Sequence, residues 1–182
     1  MFGARRARRK ANRAFDRGEG VTRYRMRQKA LSIGDDYWID DDEGEHLYKV
    51  DGKALRLRKT FVLENRDGQR VAAVQSRPAR IKESMEIEDA HGNRIALVKK
   101  ALVGPVRDRW SIKQENGPEL TVHGNIVDHE YTIENDGFTV AEISKKWGRL
   151  RDTYGLAVGP GGDHATVLAA AIAIDTMAHP GD

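Results

Sequence analysis

The chain has 182 residues, 39% hydrophobic and 32% charged, and no cysteine. That is one ordinary domain with room for a real core, and it excludes disulfides, thiolate metal sites and cysteine nucleophiles. The net charge of +3 is unevenly held: of 31 basic and 28 acidic residues, seven and two fall within residues 1–20, leaving 24 and 26 on the body.

Residues 1–20 read as a flexible basic arm ahead of a single domain over residues 21–182. Arg5, Arg6, Arg8, Arg9, Lys10, Arg13 and Arg17 crowd the arm, against Ala7, Ala11, Ala14 and Phe15 as its apolar minority. Such a segment has too little apolar surface to order itself, so disorder or a frayed helix is expected. A basic arm on a near-neutral body calls for an anionic partner at the arm. It lacks the apolar core of a secretory signal, and it has none of the serines of a transit peptide. With the absence of cysteine, this fits a cytoplasmic protein with peripheral membrane attachment.

Beyond the arm one motif returns along the whole body. A bulky residue, a spacer and an aliphatic residue occur as Tyr37-Trp38-Ile39, Phe61-Val62-Leu63, Met85-Glu86-Ile87, Trp110-Ser111-Ile112, Tyr131-Thr132-Ile133 and Tyr154-Gly155-Leu156. Their starts are 24, 24, 25, 21 and 23 positions apart. After each comes a polar turn: Gly44, Gly68, Gly92, Gly117 and Gly137 close the first five, and Gly161-Gly162 lies in the sixth. Tight hairpins demand such residues. Residues two apart in a strand share a face, so each triplet turns its bulky and aliphatic members to one side. The returning strands repeat Tyr48/Val50, Ala72/Val74, Ala96/Val98 and Ala141/Ile143, and the inward alanines leave space for something to lie against the sheet. Six hairpins predict twelve mostly antiparallel strands.

Basic residues cluster near the predicted strand ends and between hairpins: Arg56, Arg58 and Lys59; Arg77 and Arg80; Lys99 and Lys100; Lys145, Lys146, Arg149 and Arg151. They are candidate anion or lipid contacts, and equally the ordinary charged guards of strand ends. Among the six histidines no two stand at the i, i+4 spacing of a zinc-protease helix. His123 and His129 flank the turn "HGNIVDH" and read as an exposed pair. The acidic stretch from Asp40 to Glu45 lacks the alternating spacing of a calcium loop and reads as a solvated turn. "GPGGD" lacks the lysine and hydroxyl of a phosphate loop, and no serine stands in a nucleophile elbow. No catalytic, metal or cofactor set emerges.

The chain closes on "DHATVLAAAIAIDTMAH", opened by Asp163 as an N-cap candidate and free of polar side chains from Val167 to Ile174. It is apolar all round rather than on one face, and short of the roughly 20 residues a membrane span needs. Its alanines make it slender. A helix from Ala165 to Met177 buried inside a closed, mainly β, antiparallel barrel of about twelve strands is the economical reading. Six hairpins also suit a β-trefoil, which has no use for such a helix, whereas a propeller needs longer periods.

The stretch from Val140 to Asp175, with Lys145-Lys146, Leu150 to Tyr154 and Ile174-Asp175, closely resembles the C-terminal signature of the LURP-one-related family. The resemblance spans about residues 22–179. It implies the Tubby-like fold shared with Tubby domains and phospholipid scramblases, a twelve-stranded barrel around a central helix, and it implies no enzyme. The expected function is a non-enzymatic binding or scaffold module meeting anionic, phosphoinositide-like membrane lipid through basic surface. The other reading is a nucleic-acid-associated protein working through the arm. No transmembrane segment is expected.

Overall fold

A computed structural model describes residues 2–27, 36–53, 57–77, 83–103, 107–148 and 153–180. In chain order, helix α1 (Phe2–Asp16) precedes β1 (Thr22–Arg27), β2 (Asp36–Asp40), β3 (His46–Gly52), β4 (Thr60–Asn65), β5 (Arg70–Ser76) and β6 (Ser84–Asp89). Then come β7 (Arg94–Val103), β8 (Arg107–Gln114), β9 (Leu120–Asn125), β10 (Glu130–Asn135), β11 (Phe138–Ser144), a 3-10 turn (Lys145–Trp147), β12 (Thr153–Val158) and helix α2 (His164–Ala178). Each strand pairs antiparallel with its neighbour in sequence, and β1 pairs with β12, so the twelve strands close into a barrel.

Five hairpins build this barrel, not six. After β12 the chain passes through Gly159–Gly162 into α2, and β12 finds its partner in β1, with Tyr24 opposite Leu156 and Met26 opposite Tyr154. The twelfth strand therefore comes from the start of the domain. Closure leaves no open edge for another chain to extend.

The turns show why the spacing is so regular. In three successive hairpins one Asx residue organises the turn: Asp41, Asn65 and Asp89 each accept two backbone N–H bonds from residues two and four further on. Each also accepts, at its own carbonyl, the N–H of the glycine three residues on, Gly44, Gly68 or Gly92. Those glycines take φ of 89°, 73° and 86°, values that bulkier residues reach only with strain. The β10–β11 turn uses Asp136 and Gly137 at φ 47° and 78°, the pairing expected of a two-residue primed turn. Among the described residues Gly117 does not share the positive φ.

The twelve bulky and aliphatic members of the triplets face inward, none more than 4% exposed. Ala72, Ala96 and Ala141 are each 0% exposed, and α2 fills the space they leave. Every residue of α2 from Thr166 to Met177 is buried. It joins one apolar core with inward residues of all twelve strands. Asp163 stands at the N-cap position but makes no side-chain cap bond; instead its carboxylate accepts a 2.7 Å bond from the Thr166 hydroxyl.

The topology gives the barrel two unlike rims. One carries the hairpin turns and the start of α2. The other carries the links between hairpins and the end of α2.

Candidate functional site

The pairing register puts the described residues of the basic clusters foreseen on the body at one rim of the barrel, spread around it. Lys59 accepts from the N–H of Ser76 beside the start of β4, Arg77 bonds Ser84 beside the start of β6, and Lys100 donates its N–H to the Glu83 carbonyl. Lys145 and Lys146 follow β11. All lie at the rim of links. Arg56, Arg80, Arg149 and Arg151 fall outside the described residues. At this rim Arg58 and Lys100 are engaged. Arg58 stands 3.7 Å from Glu86, and Lys100 stands 3.6 Å from Glu83 with its ammonium 5.5 Å from the Trp110 ring. Lys59 and Lys99 are half-buried, while Lys145 and Lys146 are exposed.

Lys145 and Lys146 owe their position to a small local network. The Glu130 carboxylate accepts from the Ser144 hydroxyl and the Lys145 N–H, and Ser144 in turn caps the 3-10 turn at the Lys146 N–H. Trp147 then lies over Gly155, where a Cβ would collide with the Trp147 Cβ. Much of the Lys-Lys-Trp and Thr-Tyr-Gly signature is thus packing that closes β11 onto β12.

The basic arm is helical in the structure, and it is seated in a way the sequence reading did not include. Asn12 grips the β10–β11 turn through two bonds, donating to the Gly137 carbonyl and accepting from the Thr139 N–H, both at 3.0 Å. Phe15 is 7% exposed and packs where a Cβ on Gly159 would meet its ring at 3.1 Å. The Arg8 side chain lies against Gly137. From Gly3 to Ala11 every residue is exposed. At 3.6 residues per turn Arg5, Arg6, Arg9, Lys10 and Arg13 share one face about 140° wide, and with Arg17 they line one groove. Among the described residues none of those five forms an ion pair.

A second polar cluster sits at the rim of links, where α2 ends. His129 follows a turn in which its N–H bonds the Ile126 carbonyl, and it holds φ at 55°. It is buried at 1% exposure, which corrects the expectation of an exposed His123/His129 pair. His123 does face solvent, bonded to Thr121, but His129 turns inward to meet Asp175 at 2.5 Å. Its ring stacks on Tyr154 and on His179, at 4.4 and 5.1 Å between centroids. His179 Nδ1 lies 3.0 Å from the same Asp175 oxygen, and its Nε2 is 3.1 Å from the Val127 carbonyl. Burial, and after it the Asp175 carboxylate, pushes Tyr37, Tyr131 and Tyr154 well above the ordinary phenol range. All three hydroxyls stay protonated at neutral pH. The Tyr37 hydroxyl and His129 Nδ1 are buried without a hydrogen-bond partner.

With this geometry in place, the comparisons with known proteins bear on the family. The profile of the LURP-one-related family matches residues 22–175, from the first residue of β1 into the last turn of α2. The chain belongs to the LURP-one-related family. An X-ray structure of an Arabidopsis thaliana protein has the same fold, with a TM-score of 0.64 at 16% identity over 87% of this chain and 92% of that one. No curated protein matches. The family match begins after α1, so the basic helix lies outside it. Among the described residues no helix is long and apolar enough to cross a membrane.

Proposed function

We propose that this LURP-one-related protein is a non-enzymatic binding module that attaches peripherally to an anionic membrane surface through the basic face of α1. One observation carries the reading: Arg5, Arg6, Arg9, Lys10 and Arg13 share an exposed helical face with no ion pairs among the described residues, on a helix pinned to the barrel by Asn12 and Phe15. A seated helix presents its charges without first ordering a whole segment, which cuts the cost of binding. Lys145 and Lys146, exposed at the rim of links, lie at the other end of β11 from the turn that seats α1 and stand apart from this face. The Tubby-like architecture that the sequence resembles is used for lipid headgroups elsewhere, which supports the reading by analogy alone.

A specific feature favours a second reading, nucleic acid. Between Gly3 and Ala14 the opposite face of α1 carries Ala4, Ala7, Ala11 and Ala14, and the bulky Phe15 is spent on the barrel. Helices that sink into a bilayer use Trp, Phe or Leu there; a purely electrostatic helix suits phosphates of either kind. Sedimentation with phosphatidylserine-containing and with phosphatidylcholine vesicles, alongside titration with duplex DNA, separates the two. Membrane attachment predicts salt-releasable binding to the anionic vesicles alone, at least as tight as binding to DNA. Tight DNA binding with no sedimentation on anionic vesicles would select the second reading.

A further inference from the structure

We propose that His129, Asp175 and His179 form a site for one divalent transition-metal ion of the zinc class, at the end of the barrel helix. Two imidazoles and a carboxylate converge there with their ligand atoms all within 4.8 Å of one another. Two nitrogens, His129 Nε2 at 2.5 Å and His179 Nδ1 at 3.0 Å, aim at the same oxygen of Asp175. Asp175 and His179 are four apart, so they share a face at the end of α2.

The hydrogen bonds of His179 call for a proton or a metal ion between its ring and Asp175. Its Nε2 faces the Val127 carbonyl, an acceptor, so it carries a proton and donates. In a neutral ring Nδ1 is then a lone pair. Yet Nδ1 faces only oxygens, Asp175 Oδ1 at 3.0 Å and the Asp175 carbonyl at 3.2 Å. A lone pair directed at two acceptors is repelled unless a cation stands between them. It is either a proton, held by the ring or by the carboxyl, or a metal ion. The Nε2–H bond to a backbone carbonyl is also the outer-shell contact that fixes the tautomer of a metal-binding histidine.

Three further features fit a metal. The side chains of His129 and Asp175 are 2% and 3% exposed, while that of His179 is 25% exposed, so the cluster opens to solvent on the His179 side. Three protein ligands and one position open to water is the arrangement of a reactive zinc site. The end of a helix favours a cation, and α2 ends here. Finally, the buried Tyr37 hydroxyl, which feels the Asp175 charge, lacks a partner; an unpaired polar atom in a core calls for a water or an ion nearby. Nitrogen and carboxylate donors suit zinc or its neighbours better than calcium or magnesium. Donor atoms about 2.0–2.1 Å from a tetrahedral ion stand about 3.3–3.4 Å apart, so ion entry opens the 2.5 Å His129–Asp175 contact by about 0.9 Å and the 3.0 Å His179–Asp175 contact by about 0.4 Å.

The test uses the full chain, first stripped with a chelator, and titrated with Zn²⁺ by calorimetry in two buffers of different ionisation enthalpy. The expected result is one ion per chain with release of protons, a rise in Tm that chelator reverses, and with Co²⁺ the visible absorption of a four-coordinate nitrogen–oxygen site. His179→Ala should lower the affinity at least about tenfold, since even outer-shell partners of a metal ligand are worth 10–100-fold. His46→Ala, which removes the exposed His46–Asp40 pair, should leave it unchanged. If His179→Ala does not fold, His179→Gln with Co²⁺ absorption gives the same readout. Absence of one-to-one binding, or binding that survives loss of His179, overturns the proposal and leaves a proton as the cation. Binding lost with His46 instead overturns it too.

Discussion

Ile172→Asp should abolish the folded state. Ile172 is 0% exposed in the middle of α2, inside the closed barrel. An unpaired carboxylate there costs several kcal/mol after relaxation, and the lost aliphatic burial adds about 1.5–3 kcal/mol. Domains have about 5–15 kcal/mol in total, so soluble expression and a cooperative urea transition should both disappear. Asp175, one turn later on the same helix, shows what makes a buried carboxylate tolerable: His129 and His179 both meet it. No such partner faces position 172 among the described residues, whose neighbours are apolar. A soluble Ile172→Asp protein with native near-ultraviolet circular dichroism and a cooperative transition would show that α2 is not the core.

Replacing Arg5, Arg6, Arg9, Lys10 and Arg13 together by glutamine should cost binding and spare the fold. Each basic residue near an anionic leaflet contributes about 1 kcal/mol, and a tenfold change in affinity corresponds to about 1.4 kcal/mol. Five such residues set an upper bound beyond a thousandfold. Since not all of a cylindrical face touches a plane at once, a loss of at least about a hundredfold on anionic vesicles at low salt is the expected outcome. The salt dependence should flatten as well, because these are the charges that salt screens. Stability should hardly change, as Asn12 and Phe15, which seat the helix, are untouched. A fivefold-substituted protein that still binds with the native affinity and salt slope would move the contact surface to the barrel.

The barrel was largely legible in the sequence because its signals are local and periodic. Tyr37/Ile39 through Tyr154/Leu156 alternate on a period of two, and Asp41, Asn65 and Asp89 stand at the same point of successive turns. Inward alanines and an all-apolar α2 then leave one way to bury both. The twelfth strand was harder to read. In β1, Tyr24 and Met26 alternate correctly, but β1 stands outside the six-fold triplet repeat, so the repeat does not mark it as a strand. Its partner β12 lies more than a hundred residues away.

The site was legible only in part. That α1 is basic is plain from composition; that it is seated depends on Asn12 reaching Gly137 and Thr139, a contact no local pattern announces. The alanines at 4, 7, 11 and 14, with Phe15, did mark a helical stripe. His129 was read outward because it ends a polar turn, and its positive φ, which sends the side chain inward, is a property of the folded turn. A usable signal did exist at the other end of the cluster. Asp175 is the one charged residue of a buried helix, and a histidine follows it four positions later. A buried carboxylate demands a partner, and that spacing supplies one.

The most direct measurement of the account is sedimentation of a chain lacking residues 1–20 with phosphatidylserine-containing vesicles, beside the full chain and with thermal unfolding of both. No strand of the barrel is removed, so the account predicts a cooperatively folded protein. Its Tm should fall by several degrees with the loss of the Phe15 burial and the Asn12 bonds, and most of its vesicle binding should be lost. A truncated chain that folds and sediments as strongly as the full one would contradict the assignment of the binding surface to α1.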